Sequence, residues 1–127
     1  MGGTKTFFAA LTVAASISGP ATADEDGLLR TIATCAGRLS AEMEHQWLTG
    51  GAKADLAERR REATVDVLEA MTPKGRERDI MAWRIDAKVA QASLLSRATF
   101  NDDADDAQWA RRMAETTLAA CHSLVLS

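Results

Sequence analysis

Two cysteines, two histidines and one acidic run are the residues of this chain with chemistry to offer. Cys35 and Cys121 lie 86 residues apart and are either thiols or a disulfide, depending on the compartment in which the chain works. Cys121-His122, preceded by Leu118-Ala119-Ala120, has the spacing of a haem-attachment Cys-x-x-Cys-His, with Leu118 where the first cysteine belongs. Glu42-x-x-His45 puts a carboxylate and an imidazole one helical turn apart, as di-iron bundles require. The second copy of that motif, which such a site also needs, does not occur in the chain. Asp102, Asp103, Asp105 and Asp106 could attract calcium, yet the turn glycine and closing glutamate of an EF-hand loop are missing. The run therefore reads as a helix cap, with Asp102 or Asp103 accepting from exposed backbone N–H groups.

Catalysis finds little support. Ser40, Ser93 and Ser96 fall within helical patterns, with no histidine–aspartate pair beside them in sequence. The glycines form no phosphate-binding loop, and Arg59-Arg60-Arg61 is flanked by Glu58 and Glu62, as on a solvated helix face. The expectation is a protein that is not an enzyme and holds neither metal nor cofactor. A net charge of −3 also argues against nucleic acid as a partner, since phosphate contacts demand a basic face.

The first 23 residues set the compartment. Lys5 precedes an apolar run from Phe7 to Val13 and beyond, then Gly19-Pro20, then Ala21-Thr22-Ala23 before Asp24. A basic start, a short apolar stretch and small residues at −3 and −1 mark a secretory leader over residues 1–23, cleaved before Asp24. Its apolar part is about a dozen residues, whereas a membrane span takes roughly 20. Removing 23 of 127 residues leaves 104, one domain over residues 24–127, periplasmic or secreted and with no membrane span. In that oxidising setting Cys35 and Cys121 read as a disulfide.

The elements that must position these residues are helices. Ala, Leu, Met, Arg and Glu dominate, and the chain has no tyrosine and two prolines. Leu28, Ile32, Cys35, Leu39, Met43 and Trp47 form a first stripe, ended by Gly50-Gly51. A second segment, near residues 52–71, carries Leu56, Ala63, Val67, Leu68 and Met71 inward, and Thr72-Pro73 ends it. The third, near 74–100, has two adjoining stripes: Ile80, Trp83, Ala87, Ala90 and Leu94, then Met81, Ile85, Val89, Ala92 and Leu95. The last points Trp109, Met113, Thr117, Leu118 and Cys121 inward. Short connections make consecutive helices antiparallel, so the expected fold is all-α, an up-down-up-down four-helix bundle. In that topology Cys35, near the start of the first helix, meets Cys121, near the end of the fourth. The disulfide would close an 86-residue loop worth about 4–5 kcal/mol in the chain-entropy model.

An exported bundle with Cys121-His122 on its last helix resembles the cytochromes of the c-prime type. That likeness implies haem at Cys121 and His122, with Met43 as the analogue of a helix-1 ligand. Ala82-Trp83-Arg84-Ile85-Asp86-Ala87 is similar to the Trp-x-x-x-Arg-Asp-Ala stretch of a periplasmic lysozyme-inhibitor family, at a different spacing and without its following cysteine. Neither family's full motif is present, and no family is assigned. Met43, Trp47, Phe100, Trp109 and Met113 fall at one end of the expected bundle and form a candidate binding patch. Two functions follow. The favoured one is a non-enzymatic binding, inhibitor or accessory module with a protein partner in the cell envelope. The alternative is a small-molecule or cofactor carrier that uses the bundle interior.

Overall fold

Four helices account for most of the described residues in the computed structural model, which describes residues 2–3 and 21–125. They are α1 (Ala21–Thr49), α2 (Ala54–Met71), α3 (Glu77–Phe100) and α4 (Ala104–Val125). Residues 4–20, which hold most of the expected leader, lie outside the described residues. The connections are short, and glycine shapes the first two. Gly50, at φ +67°, ends α1, and the Gly51 N–H returns to the Gln46 carbonyl at 2.9 Å. Gly75, at φ +93°, sits in the turn after Pro73, where the Arg76 N–H reaches the Pro73 carbonyl. This turn delays α3 to Glu77, three residues later than the sequence pattern suggests.

Helix directions follow from the cross-helix pairs. Asp26 meets Arg76, Glu44 meets Lys88 and His45 meets Thr99, so α1 and α3 run parallel. Gln91 meets Ala114 and Arg97 meets Asp106, so α4 runs antiparallel to α3. The fold is an up-down-up-down bundle, with α1 joined to α4 by the Cys35–Cys121 disulfide at a Cα separation of 5.3 Å. Its helices are unevenly spaced. α1 packs chiefly against α3 and α2, while the α2 and α3 backbones stand apart.

Small residues explain that arrangement. Ala33, Ala36 and Ala41 are buried along α1. A Cβ on Gly37 would overlap the Arg84 carbonyl oxygen and come within 3.0 Å of the Lys88 nitrogen. The α1 and α3 backbones approach closely because nothing stands between them, and dispersion contacts reward that closeness. Two clusters flank the seam: Leu29, Ile32, Ala36, Leu68 and Ile80 on the α2 side, and Cys35, Leu39, Leu118 and Cys121 on the α4 side.

The helix faces differ by about one residue from the expected stripes. Leu29 is buried where Leu28 was expected, and Ala110 and Ala114 are buried where Trp109 and Met113 were expected. In α2 the inner residues are Ala57, Thr64 and Leu68, while Leu56 and Val67 are exposed. Sequence periodicity favours the largest apolar side chains. A tightly spaced bundle instead puts alanine in the seams and moves bulk to their edges.

Candidate functional site

The separation of α2 from α3 creates a groove floored by α1. Gly37, Ser40 and Met43 form the floor, Met81, Arg84, Ile85 and Lys88 one wall, and Arg61 the other, around a cavity of about 210 Å³. The groove continues past Met81 and Arg84 to Leu68, Glu69 and Glu77, where a second cavity measures about 340 Å³. In the other direction it passes Glu44 to Leu48, Ala92 and Phe100. The second stripe of α3 therefore lines an open groove instead of packing under a neighbour. Met81 is 51% exposed, Ile85 52% and Val89 64%.

Charges line this groove unevenly. The Arg61 Nε–H donates to the Ser40 hydroxyl at 3.1 Å, and that hydroxyl donates to the Ala36 carbonyl at 2.8 Å. Lys88 pairs with Glu44 at 2.6 Å. Arg84 makes no ion pair among the described residues. The middle of the groove thus offers cations beside methionine and isoleucine, while Glu69 and Glu77 make one end acidic. Arg60 and Arg61 do not lie on a solvated face as the sequence suggested. Both are half-buried and turn inward, Arg61 to Ser40 and Arg60 to His122. Long aliphatic stems let arginine line an apolar seam while its head finds a polar partner.

The residues of the candidate patch fall into separate settings. Met43 is buried in the groove floor. Phe100 lies edge-on to His45 with ring centroids 6.3 Å apart, and shares a cavity with Leu48. Trp109 lies under the Arg97 guanidinium at 5.1 Å. Trp47, Phe100, Trp109 and Met113 all remain substantially exposed.

Of the two histidines, His45 accompanies Thr99, with Nε2 3.0 Å from its hydroxyl. His122 Nε2 lies 3.3 Å from the Glu42 carboxylate and 3.4 Å from Arg60. The Glu42 side chain is only 12% exposed, so it belongs to the α1–α2–α4 interior. Glu42 and His45 share a turn of α1 but serve different neighbours. No three His, Cys, Asp or Glu side chains converge as a metal cluster among the described residues. Cys121 is in the disulfide and is not a free thiol.

The acidic run caps α4. Asp103 Oδ1 accepts from the N–H groups of Asp105 and Asp106 at 3.0 and 3.2 Å. Asp106 then pairs with Arg97 of α3, and this hydrogen-bonded guanidinium holds the Asp106 carboxyl below its ordinary range. Comparison with protein-family models, with curated proteins and with solved structures gives no match to this chain.

Sequence reading missed the groove because it treated both stripes of the third helix as buried. The available signal was the run Ala33, Ala36, Gly37, Ser40 and Ala41, small residues that invite one close partner. A helix held that closely to α1 leaves its own flank uncovered. The described interior is filled by side chains such as Leu39, Leu68 and Gln91, and the cavities are grooves at the surface.

Proposed function

We propose that this chain is a small exported, non-enzymatic helical module that binds a partner protein in the cell envelope through the groove left open over α1. The observation that carries this reading is the exposed apolar stripe of α3, Met81, Ile85 and Val89, beside an uncovered groove. Water around such a stripe is costly, and a contiguous apolar face bordered by charge is the usual mark of an interaction surface. The groove runs along α3, a 24-residue helix, which suits an amphipathic helix laid into it. Arg61 and Arg84 in its middle would meet acidic residues of that helix, and Glu69 and Glu77 basic ones. A disulfide, together with the lack of any helix long and apolar enough to cross a membrane among the described residues, is compatible with export. Cleavage of residues 1–23 and a periplasmic location belong to the same proposal.

The test places a photo-crosslinking amino acid at position 85 or 89, with position 112 on the exposed face of α4 as control. The expected result in envelope extracts is one discrete protein adduct from 85 and 89, absent from 112 and lost on Met81→Asp. No adduct, or the same adducts from all three positions, overturns the proposal. An absorption band or added native mass from a bound small molecule would instead favour the carrier reading.

A further inference from the structure

We propose that the groove between α3 and α4, on another side of α1, binds a small organic anion: a carboxylate or phosphate head on a compact apolar body. Thr34 stands at its centre, with Arg30 and Arg38 on either side. These three residues occupy positions i, i+4 and i+8 of α1 and form one line about 12 Å long by helix rise. Two surface cavities, of about 230 and 300 Å³, both include all three. The first is walled by Trp83, Ala87, Leu94 and Thr117, the second by Ala120 and Leu124.

Among the described side chains from Thr31 onward, Thr34 stands out in the polar inventory. From Thr31 onward every other threonine hydroxyl has a partner: most donate to a carbonyl one turn back, and Thr99 meets His45. The half-buried Thr34 hydroxyl has none among the described residues. Nor do Arg30 and Arg38 make an ion pair there. The acids that could serve them are elsewhere engaged or too few. Glu42, one turn beyond Arg38, pairs with His122, and Asp26 pairs with Arg76. Asp86 alone lines the groove, which leaves two guanidiniums against one carboxylate in a chain of net charge −3.

One of the donors is braced before any ligand arrives. The Arg30 guanidinium carbon lies over the Trp83 ring, 5.5 Å from its centroid, a cation–π contact that keeps the charge beside the groove. Behind the groove, the buried Gln91 donates to the Ala114 carbonyl and accepts from the Thr117 hydroxyl, so neither of these two side chains competes for the arginines. An acid head between the arginines would take charge-assisted bonds from both and a hydrogen bond from Thr34. Ala87, Leu94 and Leu124 offer contact to an apolar body and nothing polar to a larger head.

Phenyl phosphate, benzoate and inorganic phosphate are titrated separately into the disulfide-intact protein, with amide and guanidinium NMR signals as the readout. Saturable shifts at Thr34, Arg38, Gln91 and Thr117 are expected with one of the two aromatic acids, and weaker binding with inorganic phosphate. The better of the two distinguishes a phosphate from a carboxylate source. Arg38→Met should weaken binding about tenfold or more, the scale of one lost charge-assisted hydrogen bond. Asp86→Asn should tighten it by removing the competing carboxylate, an effect that a purely structural arginine would not produce. Shifts that never saturate or that map to another face overturn the proposal, as does equal affinity for inorganic phosphate. So does an Arg38→Met protein that melts earlier but binds unchanged, because the arginine would then serve only the carboxyl-terminal end of α4.

Discussion

Two apolar stripes of the same helical period meet opposite fates in this bundle. Cys35 and Leu39 of α1 are sealed against Leu118 and Cys121 of α4, at 3% exposure or less for the α1 pair. Met81, Ile85 and Val89 of α3 stand half or more exposed over an open groove. Both stripes have the composition of a core, and only the first has a partner. The difference lies in what holds each neighbour. A covalent bond ties α4 to α1, and the small side chains around Gly37 tie α3 to α1, but no comparable contact draws α2 to α3. Apolar periodicity thus records that a face can be buried and is silent on whether this chain alone buries it.

The largest expected break falls on the sealed stripe. Replacing both cysteines by alanine should cost about 4–5 kcal/mol in the chain-entropy model, measured by denaturant unfolding against the oxidised protein. That loss is a large share of the stability of a domain this size. A near-neutral effect would mean that the bundle closes without its staple.

Next comes a matched pair of truncations. Leu39→Ala should destabilise by about 2–5 kcal/mol, because a fully buried leucine leaves a cavity behind. Val89→Ala should stay within about 0.5 kcal/mol in the isolated protein, because its side chain is largely in water. Equal losses at the two positions would erase the distinction between the stripes.

The smallest effect concerns the cap that joins α3 to α4 away from both stripes. The hydrogen bond from Arg97 holds the Asp106 carboxyl low, so the charged form is favoured in the folded state. Its stabilisation is present above the ordinary carboxyl value of 3.8 and is lost as pH falls through the lower folded value. Asp106→Asn should therefore lower the melting temperature slightly near neutrality, with the gap to the parent closing below about pH 4. Solvent screening keeps the effect small.

Much of this organisation was legible in the residues. Gly50 marked the end of α1, the aspartates marked the start of α4, and the cysteine positions joined the first helix to the last. The inner faces were legible only to within about one residue. Alanine scores weakly as apolar yet fills the seams at Ala33, Ala36, Ala110 and Ala114, whereas Trp109 and Met113 score strongly and lie at the rim. The cations of α2 gave no hint that Arg60 would reach His122 and Arg61 would reach Ser40, because those partners lie 62 and 21 residues away.

By itself the sequence determined what local chemistry can determine: helical class, chain reversals, the α4 cap and a cysteine pair able to meet. These depend on propensity, backbone freedom and spacing, all of which act within a few residues or through one covalent constraint. The tertiary structure alone decided which stripe is covered, that the Thr34 hydroxyl has no partner among the described residues, and where α2 stands apart from α3. Those outcomes depend on how closely two helices approach, and that distance is set jointly by Gly37 on one chain segment and the Arg84–Lys88 backbone on another. No local pattern encodes a distance between helices, so the groove becomes visible only once the bundle has closed.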